Sequence, residues 1–271
     1  MKEEHVRFYS FVKTLTNGLY RFWYSPKIIG KENIPDEEGI VFCGNHIHVM
    51  DQFSVMSVSK RMIHFMAKKE YFNGPFAWFF KSGGCISVDR SKKDEEAKEK
   101  AIEILNKKEA LGLFPEGTRN IVACKEEKLK KLYEYYENKY SYKRFKKILK
   151  VNNVRISQIN YLLELVENKT ISLNDYISNI LDTDKYLKNL LEQRLITSDK
   201  YYDTLLLPFK FGAVSFAEKT DSYIILFVTK GHYKFRSKDL TIIIGKPFKV
   251  NDMSLEEANS YLRQEMINMF K

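Results

Sequence analysis

The stretch IVFCGNHIHVMD, residues 40–51, joins an apolar run to a polar turn that carries a histidine and an aspartate. The run at 40–43 predicts a buried strand. The turn places His46 and Asp51 five positions apart, and Asp51 begins a helix predicted over residues 51–60. A strand, a polar turn and a helix in this order indicate the beginning of a βα unit.

The same alternation continues on both sides of this unit. Further strands are predicted at 28–30, 63–67, 85–88, 111–114, 222–229 and 240–244, with helices at 93–108 and 254–269 and a bent helix at 69–81. Strands that alternate with helices predict an α/β fold with a largely parallel mixed sheet flanked by helices. Ligands bind beyond the carboxyl ends of strands in such sheets, where the His/Asp turn, Asp89-Arg90 and Glu116–Arg119 are expected.

The composition changes after Asn120. Residues 121–150 contain ten Lys or Arg and four Glu, a balance of +6. Residues 151–203 predict short helices, with helix-start signals at 172–175 and 197–199. We therefore predict an N-terminal amphipathic helix at 1–25, an α/β domain formed by 26–120 and 204–271, and an inserted helical subdomain at 121–203.

Overall composition limits the class of protein. The chain has 271 residues, 44% of them apolar, which fits a globular protein with a substantial core. Its net charge of +10 favours polyanionic partners such as nucleic acid, anionic lipid or acidic carrier proteins. No nucleic-acid recognition motif is present, so nucleic acid is not an expected partner. Three cysteines without metal-like spacing predict reduced, intracellular thiols and no metal site.

Residues 6–24 carry apolar and aromatic side chains at helical spacing, with Arg7, Lys13 and Arg21 among them. This composition suits a helix lying in a bilayer interface. The alternative is a helix packed on the domain's own core. No stretch of 18 uncharged apolar residues exists and no signal-peptide pattern begins the sequence, so we predict neither a spanning helix nor a leader.

The His/Asp turn has the residue types of a general base. A carboxylate bonded to one imidazole nitrogen fixes the tautomer and supports the cation that forms when the other nitrogen takes a proton. The sequence pairs no evident serine or cysteine nucleophile with His46, which favours direct attack by a substrate hydroxyl over an acyl-enzyme. His48 would point elsewhere in an extended segment, so it either contacts substrate or packs.

A second polar turn, residues 114–119 (FPEGTR), has the residue types of an anion site. Gly117 permits a sharp turn, and Arg119 can hold a phosphate through a two-pronged contact. Thr118 adds a donor, whereas Glu116 would either fix Arg119 or bind a substrate hydroxyl. The alternative is a solvated turn with a surface ion pair. A base beside an anion site suggests an enzyme that activates a hydroxyl on a phosphorylated substrate.

Four blocks of the chain resemble those of the glycerolipid acyltransferases related to 1-acylglycerol-3-phosphate acyltransferase. They are Asn45-His46-x4-Asp51, Gly84–Arg90, Phe114–Arg119 and Leu207–Ala213, supported by Glu32–Pro35 and Ile244–Pro247. The resemblance covers residues 1–120 and 204–271. Their order and spacing make the resemblance specific.

This resemblance implies a reaction. An acyl thioester, on coenzyme A or acyl carrier protein, would give its acyl group to the hydroxyl of lysophosphatidic acid, with no other cofactor. His46 would be the base and Asp51 its orienting partner. Arg119 and Arg90 would bind the glycerol phosphate, with Thr118, and Glu116 and Gly117 would shape that pocket. Alternatives are another lysophospholipid or glycerol 3-phosphate as acceptor, or a non-catalytic lipid-binding scaffold.

The resemblance also implies a place for the protein. Residues 1–25 would attach it peripherally to an anionic membrane surface, at the cytoplasmic face of the cell membrane. The aromatic cluster Phe76, Trp78, Phe79 and Phe80 would line an acyl tunnel or enter the bilayer, with core packing as the alternative for each residue.

Two features depart from the family. The strand at 224–228 lacks the proline of the family's fourth block, and residues 121–203 are inserted directly after the FPEGTR turn. The insertion could cover the acceptor site, dock an acidic carrier protein or bind anionic lipid. It could equally be a tolerated surface insertion without a direct role.

Overall fold

The computed structural model describes residues 3–75, 77–89, 91 and 93–271, with side chains from Tyr9 onward. The chain forms two compact units. The sheet unit contains the described residues up to Asn45, together with 49–115 and 209–269. The helical unit contains 46–48, 116–208 and 270–271, and so includes all of the residues 121–203 that were predicted as an insertion.

The sheet unit is built on a seven-stranded sheet in the order β1-β7-β6-β2-β5-β3-β4. The strands are β1 (Lys27–Ile29), β2 (Ile40–Gly44), β3 (Ile63–Lys68), β4 (Ile86–Val88), β5 (Ala110–Leu113), β6 (Tyr223–Lys230) and β7 (Thr241–Ile244). Neighbouring strands are parallel except for the antiparallel pair β6–β7. The predicted α/β fold with a largely parallel mixed sheet is therefore confirmed.

Helices make up most of the remaining regular structure. They are α1 (Glu3–Tyr24), α2 (Asp51–Met56), α3 (Ala77–Ser82), α4 (Glu95–Asn106), α5 (Glu126–Tyr133), α6 (Tyr142–Val151), α7 (Ile156–Glu167), α8 (Leu173–Asn179), α9 (Thr183–Glu192), α10 (Ser198–Asp203), α11 (Gly212–Lys219) and α12 (Leu255–Asn268). Elements α5–α10 belong to the helical unit and the others to the sheet unit. The bent helix expected at 69–81 is instead a 3-10 turn at Lys69–Phe72 followed by α3, because Pro75 disfavours a helical conformation at the residue before it.

Strand β2 lies in the middle of the sheet and is buried on both faces. Residues 40–43 have no solvent exposure, as expected of a parallel strand with helices over both faces. Ile40 and Phe42 join one core cluster with Tyr20 of α1 and Val55 of α2. Helix α11 contacts both β2 and β6. The uninterrupted apolar run follows from this two-sided burial.

Helix α1 has two different apolar faces. Tyr9 and Tyr20 are buried in the core cluster of the sheet unit. A stripe on the other side, at positions 11, 15, 19, 22 and 23, consists of side chains that are each more than half exposed (Phe11, Leu15, Leu19, Phe22, Trp23). Core packing, one of the two alternatives for residues 6–24, is therefore present on one face, while the exposed stripe remains unexplained by it. Among the described residues, no helix combines the length and hydrophobicity needed to cross a bilayer.

The helical unit shows the predicted helix starts. Ser172 and Asp175 form a reciprocal capping box at the beginning of α8. The Thr197 hydroxyl accepts a hydrogen bond from the Lys200 N–H at the beginning of α10. These caps satisfy main-chain donors that the first turn of a helix leaves without partners.

Candidate active site

The carboxyl end of β2 is fixed by close contacts within the sheet unit. A Cβ atom at Gly44 would lie 2.2 Å from Cζ of Phe227, so glycine permits the neighbouring strand to approach. The side chain of the fully buried Asn45 then brackets Thr229. Its Nδ2 donates to the Thr229 carbonyl at 3.1 Å, and its Oδ1 accepts from the Thr229 N–H at 2.8 Å. Asn45 thus extends the pairing of β2 with β6 by one side-chain rung.

Asp51 begins α2 and has no solvent exposure. Its Oδ1 accepts a hydrogen bond of 2.7 Å from the Tyr233 hydroxyl, which lies on the loop between β6 and β7. The neighbouring Ser54 hydroxyl contacts the hydroxyls of Tyr20 at 3.0 Å and Thr229 at 3.1 Å. A buried carboxylate costs free energy unless hydrogen bonds compensate it, and the Tyr233 hydroxyl provides one here.

His46 lies in the helical unit, where both sides of its peptide backbone are bonded. Its N–H donates to Glu116 Oε1 at 2.7 Å, and its carbonyl accepts from the Asn120 N–H at 2.7 Å. The other oxygen of the buried Glu116 accepts from the Leu207 N–H at 2.9 Å. Three of the four sequence blocks therefore meet at one carboxylate. Next to His46, Ile47 is buried and His48 is half-buried.

The turn between Glu116 and Asn120 carries the predicted anion-binding residues. Gly117 has a φ of +67°, a left-handed conformation that glycine adopts without strain. Thr118 and Arg119 are half-buried. Within the described part of the chain, no ion pair to the Arg119 guanidinium is formed. Thr118 lines a cleft of about 420 Å³ in the helical unit, whose charged lining residues are Lys125, Glu126, Glu127 and Lys128.

The second block is described only in part, because Arg90 lies outside the described residues. Asp89 Oδ1 accepts hydrogen bonds from the Ser91 N–H at 3.0 Å and the Ser91 hydroxyl at 2.6 Å. Its Oδ2 lies 3.5 Å from the ammonium group of Lys69. These contacts hold the pKa of Asp89 below its usual value, mainly through the two Ser91 hydrogen bonds.

The aromatic cluster lies on α3, apart from Phe76, which is outside the described residues. Trp78 is exposed, whereas Phe79 and Phe80 are half-buried. Phe80 stacks on Tyr71 with ring centroids 5.2 Å apart, and Phe79 meets Trp78 edge-on at 6.1 Å. The rings form an aromatic group that is partly open to solvent.

Two of the three cysteines lie inside the sheet unit. Burial raises the pKa of the Cys43 thiol well above its usual value and that of Cys85 to about 11. Thiols with such pKa values remain protonated at neutral pH and are poor nucleophiles. Cys43 and Cys85 are therefore poorly suited to act as nucleophiles.

Sequence reasoning missed the partners of the motif residues. Nothing in the sequence pattern connects Tyr233 to Asp51, which lies 182 positions earlier. Likewise, the spacing of the first block does not predict that the Asn45 amide pairs with the backbone of Thr229. For Glu116, the sequence offered Arg119 or a substrate hydroxyl as partners, and the structure adds two main-chain donors.

Comparison with protein families gives one match that covers most of the chain. A family model described as Acyltransferase matches residues 25–230. This family, together with the relatives below, confirms the resemblance that the four sequence blocks carry.

Two curated relatives and one solved structure are similar to this chain. A 1-acyl-sn-glycerol-3-phosphate acyltransferase of Bacillus subtilis (strain 168) is 33% identical over 95 residues, which are 34% of this chain and 48% of the relative. The protein of the same description from Borreliella burgdorferi is 32% identical over 96 residues, 34% of this chain and 38% of the relative. The alignments thus span half or less of the relatives' lengths.

The solved structure is the crystal structure of the 1-acyl-sn-glycerophosphate (LPA) acyltransferase PlsC from Thermotoga maritima. It superposes with a TM-score of 0.56 at 16% identity and covers 99% of this chain and 82% of that one. At this identity the likeness establishes a shared fold.

Proposed function

The chain belongs to the Acyltransferase family, and from that premise we propose that it acylates lysophosphatidic acid to give phosphatidic acid. The acyl donor is a thioester of coenzyme A or acyl carrier protein. One observation carries the proposal: the backbone of His46 is held on both sides by the turn that contains Arg119, through Glu116 and Asn120. A general base and an anion-binding guanidinium are thereby kept in adjacent segments of the helical unit.

In the proposed reaction, the imidazole of His46 takes the proton from the free hydroxyl of the acceptor. The hydroxyl oxygen forms a bond to the thioester carbonyl carbon, the C–S bond breaks, and the proton on His46 passes to the leaving thiolate. Asp51 orients the imidazole and supports its charged form. General-base assistance of this kind contributes about 10²–10⁴-fold in rate.

The acceptor phosphate is assigned to Arg119, assisted by Thr118, Gly117 and the second-block Arg90. A guanidinium binds a phosphate oxygen pair with two parallel hydrogen bonds. The lack of an ion pair to Arg119 among the described residues supports this role, because no internal carboxylate competes with the substrate there. Glu116 shapes the pocket by fixing the backbone of the turn.

We assign the exposed stripe of α1 to an anionic membrane surface at the cytoplasmic face of the cell membrane. Apolar side chains exposed on one face of a helix are typical of interfacial binding, and the net charge of +10 adds attraction to anionic lipid. Trp78 and its neighbours Phe76, Phe79 and Phe80 then contact the acyl chain or the bilayer.

The test is transfer of a labelled acyl group to lysophosphatidic acid in mixed micelles, with coenzyme A and carrier-protein donors in parallel. Wild type is expected to transfer, His46→Ala to lose about 10²–10⁴-fold in rate, and His48→Ala to stay within a few-fold of wild type. Normal transfer by His46→Ala would remove the mechanism.

An acceptor panel separates this function from its nearest alternatives. Transfer only to another lysophospholipid or to glycerol 3-phosphate would keep the chemistry and change the substrate. Arg119→Ala is expected to weaken phosphate-bearing acceptors most. Failure of every acceptor with both donors, in a protein that still floats with vesicles, would leave a lipid-binding scaffold.

A further inference from the structure

We propose that Tyr233 is a positioning residue of the reaction: its hydroxyl holds the Asp51 carboxylate in the orientation that Asp51 needs to act on His46. The inference rests on the proposed function, in which Asp51 is the partner of the base. It adds a residue from outside the sequence blocks, on the loop that joins β6 to β7.

The contact between Tyr233 and Asp51 is short and well placed. The Tyr233 hydroxyl donates to Asp51 Oδ1 at 2.7 Å, and Asp51 has no solvent exposure. Burial, and then the negative charge of Asp51, raise the pKa of Tyr233 well above its ordinary value. The phenol therefore keeps its proton at neutral pH, and with it its capacity to donate. A hydrogen bond to a buried carboxylate both stabilises the charge and sets its direction.

The donor itself is fixed by neighbouring side chains of the sheet unit. The Tyr233 hydroxyl lies 3.3 Å from the Ser54 hydroxyl, which is also 3.0 Å from the Tyr20 hydroxyl. The Tyr233 ring packs edge-on against Tyr24 with centroids 5.2 Å apart. Through the Thr229 hydroxyl at 3.1 Å, Ser54 is tied to the residue that Asn45 brackets. Networks of this kind restrict each member to one rotamer.

The loop that carries Tyr233 is also closed at its base. The His232 N–H donates to Asp239 Oδ2 at 2.9 Å, and His232 Nδ1 lies 2.7 Å from the same oxygen. Gly231 has a φ of +87°, and a Cβ there would lie 2.3 Å from the Asp239 carbonyl oxygen. A side chain in place of Gly231 would therefore open the loop.

The far end of the loop is tied to α1. The Arg236 N–H donates to the Trp23 carbonyl at 2.7 Å, and the Phe235 ring meets the Trp23 ring at 4.7 Å. The position of Tyr233 is thus fixed by the contacts at the base of the loop, by the contacts of the loop with α1 and by the packing of the Tyr233 ring. A phenol held so firmly against a motif carboxylate is suited to positioning.

The competing explanation is that the hydrogen bond only offsets the burial of Asp51 and stabilises the fold. The two explanations differ in how Tyr233 and Asp51 combine. A residue that acts through Asp51 loses its effect on catalysis once Asp51 can no longer act, whereas an independent structural role adds to the Asp51 effect.

The experiment is a double-mutant cycle on acyl transfer to lysophosphatidic acid, with Tyr233→Phe, Asp51→Asn and the double variant. We expect Tyr233→Phe to lower kcat about 10- to 100-fold, the range for a hydrogen bond to a charged group, with KM within about twofold. In the Asp51→Asn background, the same substitution should change kcat by less than about twofold.

Tyr24→Phe is the matched control. Tyr24 shares the ring contacts with Tyr20 and Tyr233, but its hydroxyl makes no hydrogen bond within the described residues. We expect its kcat to remain at the wild-type value. The melting temperature of each variant, compared with that of wild type, separates loss of catalysis from loss of fold.

Each outcome has a definite meaning. An unchanged kcat in Tyr233→Phe, or an equal loss in both backgrounds, overturns the role of Tyr233 while leaving the proposed function intact. Wild-type activity in Asp51→Asn refutes the assigned role of Asp51 in the proposed function and refutes this inference with it. A decrease in kcat on Tyr233→Phe that is absent when Asp51 is already Asn establishes the positioning role of Tyr233.

Discussion

Glu116 in the helical unit and Asp51 in the sheet unit are both buried carboxylates of sequence blocks, but their known donors differ in kind. Glu116 accepts from two main-chain N–H groups, those of His46 and Leu207. Asp51 accepts from the side-chain hydroxyl of Tyr233. Main-chain donors persist whatever side chains occupy their positions, whereas one substitution removes a tyrosine hydroxyl. Loss of Glu116 is therefore expected to lower stability as well as activity, whereas Asp51→Asn, which keeps an acceptor for Tyr233, is expected to affect activity mainly.

The largest expected effect on stability is that of Glu116→Ala. The substitution removes both acceptors from two partly buried N–H groups, at about 1–3 kcal/mol for each unsatisfied donor. We expect the free energy of unfolding to fall by about 2–6 kcal/mol, measured by urea denaturation.

The control for Glu116→Ala is Glu127→Ala in the same unit. The Glu127 side chain is highly exposed and forms an ion pair with Lys131 at 3.3 Å, four positions along α5. Such pairs contribute about 0.3–0.5 kcal/mol. A loss of stability in Glu116→Ala no greater than that of this control would mean that the two hydrogen bonds accepted by Glu116 do not stabilise the fold, and the comparison of the two carboxylates would fail.

Asp51→Asn should lower the rate of acyl transfer while leaving the free energy of unfolding nearly unchanged. The amide oxygen can still accept the Tyr233 hydrogen bond, so we expect a change of less than about 1 kcal/mol in the free energy of unfolding. Acyl transfer should fall about 10²–10⁴-fold, because an amide cannot support the charged imidazole. Paired urea denaturation and rate measurements test both halves of this expectation. An Asp51→Asn variant that unfolds at a lower urea concentration than wild type and remains active would contradict this expectation and the contrast with Glu116.

The exposed apolar side chains allow a second contrast between the units. In the sheet unit, Leu15 and Leu19 of α1 are each more than half exposed. Full burial of a leucine contributes about 1.5–3 kcal/mol, so the double substitution to serine should weaken vesicle binding at least tenfold, or about 1.4 kcal/mol. Flotation with phosphatidylglycerol-containing vesicles measures this change.

The matched control for the leucines lies in the helical unit. Leu173 and Leu195 are about as exposed as Leu15, but they are not part of the α1 stripe. Their double substitution to serine is expected to leave flotation unchanged. An equal decrease in vesicle binding in both double variants would indicate nonspecific hydrophobic adsorption rather than a membrane-binding face on α1.

The fold was predictable from local patterns, and the connections within the site were not. Apolar runs such as 40–43 and 224–228 are signatures of buried strands, because every residue of a strand that is covered on both faces lies in the core. The pairing of β7 with β1 joins residues more than 200 positions apart, for which no local pattern exists, whereas β7 pairs with β6 as the next strand along the chain. The same limit hid the contact of Tyr233 with Asp51 and that of Glu116 with Leu207.

The smallest expected effects come from two capping boxes, one in each unit. Ser172 with Asp175 begins α8 in the helical unit, and Ser254 with Glu257 begins α12 in the sheet unit. Ser→Ala at either position removes one acceptor from a first-turn N–H and should cost about 1 kcal/mol in the free energy of unfolding. Hydrogen exchange resolved along the chain then shows where each loss is felt. Faster exchange confined to the helices of the substituted unit would show that the two units open separately. Faster exchange in both units after either substitution would instead show a single cooperative structure. In that case the hydrogen bonds accepted by Glu116 and those around Asp51 stabilise the same folded state.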